Sequence, residues 1–361
     1  MKVDLNRMYV TDEIKEAVWE VLESGRYVKG PRARELEEIF CEKTGAAHSV
    51  SCSSGTSALM LAFKALGIGP GDEVIVPSHT FAATINGFLH YGAVPVFTDI
   101  DETTYTMSTE GLEELITERT KAIAPVHLYG HPADMDPICR LAEERGLKVV
   151  SDACQSHGAR YRGRDVGVIG DVTCYSFFPS KIITVAGEGG MNTCSDEKLY
   201  LDMKALANHG RYPGERDVHR VPGFNMRLSE LLAAVGIIQM EHINEWVNRR
   251  REIAAVYDQE LEGLGDIVVP VEKSHSRHTY YLYVVRSKRR DALKRHLERL
   301  GIASGVHYPI PVHRMPYIGK RVTLPATERV VDEILSLPMH PLLTQSEQEA
   351  VIKGVRDFFR G

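Results

Sequence analysis

Between residues 48 and 194 the chain alternates short apolar runs with amphipathic stretches. The runs are "SVSCS", "EVIVP", "VPVFTD", "KAIAPVHL", "KVVSD", "VTCYSF" and "GGMNTC". They are short and rich in β-branched side chains, as strands are when both faces of a sheet are covered. The stretches between them, such as "TSALMLAFKALG" and "MDPICRLAEERG", have helical spacing. This alternation predicts an α/β fold with a mainly parallel sheet flanked by helices. Ligands then collect at the carboxyl ends of the strands. The stretch from Leu228 to Leu261 lacks proline and reads as one long helix connecting two domains. Beyond about residue 265 the pattern changes: "TYYLYVVRS" reads as a strand, "RDALKRHLERLG" as an amphipathic helix and "SEQEAVIKGVRDFFRG" as a terminal helix. The predicted division is a large domain over residues 1–245 and a smaller α+β domain over residues 246–361.

Composition removes several classes of function. The 361 residues carry a net charge of −6, with no basic stripe for nucleic acid or an acidic membrane. The opening "MKVDLNRMYVTDEIKEAVWE" does not read as a signal peptide, and no apolar run is long enough to span a bilayer. The six cysteines form no C-x-x-C pair, which fits reduced, buried thiols in a cytoplasmic protein. No metal site is expected. No G-x-G-x-x-G follows a strand, and "GEGG" has the wrong spacing for a dinucleotide fold.

Candidate chemistry sits where the predicted strands end. Lys181 stands in the apolar stretch "YSFFPSKIITVAGEGG", a poor place for an ammonium. "SSGTSAL" puts Gly55 and Thr56 at a strand-to-helix turn, either an ordinary helix cap or an anion site. Ser176 ends another strand and could add a hydroxyl to the same anion. Asp152 follows a buried strand and could hold a protonated ring nitrogen, with Gln155 turned toward the same ligand. Phe81, at a third strand end, is either core packing or a stacking platform. Taken together these describe one ligand: a flat, protonated heterocycle with a phosphate and an aldehyde, which is pyridoxal 5′-phosphate. A lysine converted to an imine no longer has to bury a charge.

In the order and spacing of "SSGTSAL", "VPSHTFAATINGFLHYGAVPVFTDID", "SDACQSHGA", "SFFPSK", "GEGG", "GFNMRLSELLAA" and "HYPIPVH", the chain resembles the DegT/DnrJ/StrS sugar aminotransferases, which are fold-type I pyridoxal phosphate enzymes. The resemblance implies that Lys181 is the Schiff-base lysine, Asp152 the acid on the ring nitrogen and Gln155 the residue beside the phenolic oxygen. Phe81 matches the stacking aromatic, and Gly55, Thr56 and Ser176 match phosphate ligands. Asn225 matches an asparagine that reaches the phosphate of the other subunit, so a homodimer with shared sites is implied. The implied reaction moves an amino group, with L-glutamate as donor, to a keto group of a nucleotide-linked sugar. Relatives with histidine in place of the lysine dehydrate sugars, so Lys181 favours transamination. Other pyridoxal phosphate reactions and a non-catalytic regulator are the competing readings. The cysteines supply no placed desulfurase nucleophile, and no segment is left for DNA binding. Five further residues are candidates for the substrate pocket, each with a plain surface alternative: Tyr27, Lys29, Arg211, His307 and His313. Ile182 and Ile183 stand where many relatives have polar residues.

Overall fold

A computed structural model describes residues 2–319 and 322–360. All seven predicted runs are strands of one sheet: β1 His48–Cys52, β2 Glu73–Pro77, β3 Val94–Thr98, β4 Thr120–Ile123, β5 Lys148–Asp152, β6 Val172–Ser176 and β7 Gly190–Cys194. Their order is β1-β7-β6-β5-β4-β2-β3. Only β7 runs against the rest, pairing antiparallel with both β1 and β6. The sheet is therefore mainly parallel, and the amino end of β7 meets the carboxyl ends of its neighbours.

Helices α1 Asp12–Ser24, α2 Pro31–Thr44, α3 Gly55–Ala65, α4 Ala82–Leu89, α5 Met135–Arg145 and α6 Glu197–Ala207 follow in chain order, with α7 Glu230–Glu241 and α8 Ile243–Leu261 after them. Leu59, Phe63, Ile85 and Phe88 of α3 and α4 join Val74, Val76 and Val172 of the sheet in one core. Leu36 and Phe40 of α2 pack with Ile237 and Met240 of α7 in another.

The single long connecting helix expected over 228–261 is instead two helices, broken at His242. No proline or glycine marks the break. The His242 ring stacks on Trp246 and lies beside Tyr9, with centroids 5.3 and 5.1 Å away. The turn therefore rests on tertiary ring packing, which local propensity does not register. The expected boundary between 245 and 246 falls inside α8. Trp246 and Val247 share a core with Leu36, Phe40 and Ile237, whereas Ile253, Tyr257 and Leu261 pack in another with Leu293, Leu297 and Val351. There β8 Tyr283–Arg286 pairs antiparallel with β9 Ile334–Leu337, covered by α9 Arg290–Arg299, α10 Pro325–Glu333 and α11 Gln345–Arg360. Gly361, the end of the expected terminal helix, lies outside the described residues.

Among the described residues no helix is long and apolar enough to cross a membrane. No cluster of side chains among them could hold a metal.

Candidate active site

The carboxyl edge of the sheet gathers most of the predicted residues. At the end of β1, Ser54 caps α3, its Oγ accepting the Ser57 N–H at 3.0 Å. A helix leaves its first N–H groups without intrahelical partners. Those of Gly55 and Thr56 remain for a ligand, at the end of the helix that favours anions. Gly55 also has a packing reason. A Cβ on it would lie 2.6 Å from Ser176 Cβ and 3.0 Å from Cys154 Sγ. Only a bare backbone lets the β6 end close on this turn.

Asp152 ends β5 and is 6% exposed. Its Oδ2 accepts the Thr84 hydroxyl at 2.7 Å and its Oδ1 the Cys154 N–H at 3.0 Å. Thr84 has one hydroxyl proton and gives it to the carboxylate, so Thr80, 2.7 Å from Thr84, donates to it in turn. Asp152 makes no ion pair among the described residues. A buried carboxylate in that state needs a cation, and a protonated ring nitrogen fits the need.

Gln155, also buried, accepts the Tyr129 N–H at 2.8 Å and donates to the Tyr308 hydroxyl at 3.0 Å. Phe81 precedes α4 and leaves its ring 54% exposed, 5.3 Å from the Tyr308 ring. An exposed aromatic beside a cleft can take a flat ligand on its open face.

Lys181 follows β6 in a loop anchored by buried Ile182 and Ile183. Its Nζ lies 4.7 Å from the centroid of the Tyr281 ring. Its charge reaches Cys154, His157 and His307. Burial, then the Asp152 charge, pushes the Cys154 thiol well up, so it stays protonated and is no nucleophile. His307 donates to or accepts from Ser336 Oγ at 2.9 Å, and burial followed by Lys181 pushes its pKa down.

A second group lies on two loops beside this edge. Lys29 and Arg211 approach each other and also Arg227. Burial and then these two arginines lower the Lys29 pKa. Arg227 shares the Asn208 side chain with Arg211, at 2.9 and 3.3 Å. Asn225 is exposed on the same segment. Its backbone pairs with Asn208, and the next residue, Met226, accepts the Ser53 N–H at 2.9 Å. Tyr27 is exposed, and its carbonyl takes the Glu230 N–H at the start of α7. His313 meets the residue that directly follows β2. It is buried, with Nδ1 2.5 Å from Ser78 Oγ and Nε2 3.3 Å from Glu328.

Sequence reasoning missed Thr84, Tyr129, Arg227, Tyr281 and Tyr308. Arg227 had a signal, two residues after Asn225 in "GFNMRLSE". Tyr308 had one as well, next to His307.

A parallel sheet with one reversed strand, a lysine at its carboxyl edge, a buried unpaired acid and an open helix start define the class of fold-type I aminotransferases. The chain belongs to the DegT/DnrJ/EryC1/StrS aminotransferase family, whose model matches residues 9–356. It is 40% identical to the UDP-N-acetyl-3-dehydro-α-D-glucosamine 3-aminotransferase of Acidithiobacillus ferrooxidans, over 99% of this chain and 98% of that protein. S. venezuelae DesV in complex with a ketimine intermediate superposes with a TM-score of 0.94 at 41% identity, covering 97% of this chain and 95% of the other. NtdA of Bacillus subtilis with bound cofactor PMP superposes with a TM-score of 0.90 at 31% identity, over 99% and 87% of the two chains.

Proposed function

We propose that this cleft holds pyridoxal phosphate and passes an amino group from L-glutamate to the keto group of a nucleotide-linked sugar, in a cytoplasmic homodimer that shares its two sites. The observation that carries this reading is the buried, unpaired Asp152 at the same sheet edge as Lys181 and the Gly55–Ser176 contact. Asp152 would hold the proton on the ring nitrogen. Gly55, Thr56 and Ser176 would hold the phosphate, Phe81 the ring face and Gln155 the phenolic oxygen. The cofactor, when bound, supplies an electron sink for the carbanion at the donor's α-carbon. Lys181 Nζ takes up the migrating proton and gives it back, as a positioned general base and acid. The buried Ile182 and Ile183 next to it anchor the loop that carries this nitrogen.

Lys29, Arg211 and Arg227 bring like charges together, which an anionic ligand would relieve. Arginine forks suit the diphosphate of a nucleotide-linked sugar. Tyr27, two residues before Lys29, and His307 would complete the substrate pocket. The test is a panel of UDP- and dTDP-linked 3-keto and 4-keto sugars, incubated with L-glutamate and read by mass spectrometry for the amino-sugar. Amination of at least one is expected. A panel with no amine product would sink the assignment.

Asn225 separates a shared site from a self-contained one. Lys181→Ala and Asn225→Asp are each expected to be inactive, the second because a carboxylate faces a phosphate dianion. Mixed under subunit exchange, they leave one intact site in every hybrid dimer if Asn225 serves the partner. About a quarter of wild-type activity then returns, since half of the dimers are hybrids with one good site of two. No recovery despite proven exchange would place Asn225 at its own subunit's site.

A further inference from the structure

We propose that Tyr129 is a positioning residue, one that sets the small-domain tyrosines Tyr281 and Tyr308 against Lys181 and Gln155. It sits in the turn Leu128–Gly130 beyond β4, with φ of 58°, in the left-handed region that tyrosine seldom enters. Each of its three polar groups binds a different part of the site. Its N–H donates to Gln155 Oε1 at 2.8 Å. Its carbonyl accepts the Leu282 N–H at 3.3 Å, next to Tyr281, whose ring lies 4.7 Å from Lys181 Nζ. Its hydroxyl bonds the carbonyl of His307, next to Tyr308, whose hydroxyl accepts from Gln155 Nε2 at 3.0 Å.

Proton counting fixes the direction of these bonds. A carbonyl only accepts, so the single phenolic proton goes to His307. His79 Nε2, 2.7 Å from the same oxygen, must then be the donor. His79 is fully buried, and burial pushes its pKa down to about 3, so the ring is neutral and the proton on Nε2 is its only one. The Tyr129 ring is 2% exposed and packed edge-on against Tyr105, so water does not compete for the phenol. His79, Tyr129 and Gln155 belong to the large domain, and Leu282 and His307 to the small one. One side chain and its two backbone groups thus fix how the small domain presents its rings to the lysine.

This inference rests on the proposed function. The test follows the glutamate half-reaction of the holoenzyme through the cofactor's absorbance, in wild type, Tyr129→Phe, Tyr308→Phe and the double variant. Tyr129→Phe keeps the ring and both backbone bonds and removes only the link to His307. Its rate is expected to fall about 10- to 100-fold, the order for a misplaced reacting geometry. The double variant should be no slower than the slower single one, because both act through the 307–308 segment. A Tyr129→Phe rate within about twofold of wild type, or losses that multiply, overturns the inference. So does a lower melting temperature with an unchanged rate, which marks a role in folding alone. If Tyr129→Phe does not fold, His79→Phe enters the same cycle with the same criterion. Wild-type enzyme that does not react with glutamate overturns the proposed function and this inference together, whereas a reactive wild type with uncoupled variants overturns this one only.

Discussion

Lys181→Ala is expected to retain cofactor and to lose turnover by at least ~100-fold, the low end of what a positioned acid–base group contributes. The turn at Gly55, proposed to hold the phosphate, and the Asp152 carboxylate lie at the ends of other strands, so cofactor retention should not need the lysine. Neighbouring groups cannot take over the proton. The Cys154 thiol is held protonated by burial and by Asp152, and burial, which the substitution leaves in place, is the main cause of the low His157 pKa. In the wild-type protein, borohydride should bleach the cofactor's colour and fix it covalently to the peptide containing Lys181, as read by mass spectrometry. Reduced cofactor on a different lysine, or Lys181→Ala with near wild-type turnover, would refute the assignment.

Asp152→Asn separates charge from shape. The amide is isosteric, and its oxygen can still accept the Cys154 N–H. Its NH2 would face Thr84, but the Thr80–Thr84 hydroxyl pair can reverse, so that Thr84 accepts and donates onward to Thr80. The fold and the phosphate grip should therefore survive. What is lost is the negative charge that, on the proposed reading, keeps the ring nitrogen protonated. Turnover should fall by at least ~100-fold, the order for removal of an essential electrostatic partner, while cofactor stays bound. Steady-state rates on cofactor-saturated protein decide the matter. A variant as fast as wild type would make this carboxylate a structural one.

The parts of the site legible in the sequence are those that a strand end delivers. Asp152, Ser176, Phe81 and Gly55 each follow a short apolar run, so locating the strand located the residue. Lys181 was legible because a lysine among isoleucines needs a reason. Residues delivered by tertiary packing left no such mark. Thr84 lies inside an ordinary helix and reaches Asp152 only through the way α4 packs on α3 and the sheet. Tyr281 and Tyr308 lie beyond α8, more than a hundred residues from the strands they face. The break at His242 is likewise set by Tyr9 and Trp246, and local propensity favours helix straight through it. His313 left no mark of its partners either: it meets Ser78 and Glu328, neither of which adjoins it in sequence.

The reversed strand β7 makes the lysine segment a cassette. Ser176 and Gly190 pair directly, 190 − 176 = 14 residues apart. Gly190 also pairs with Cys52, 190 − 52 = 138 residues away. Closing the shorter loop costs about 2 kcal/mol less entropy on a logarithmic length law, so the segment can be framed locally before the sheet is complete. Neither of its ends leaves the edge on which it starts. Asp152, by contrast, is part of a strand flanked on both sides, whose backbone cannot be rebuilt without disturbing the sheet. The reacting group can therefore be exchanged by altering a local hairpin, while the acid and the anion turn stay as they are.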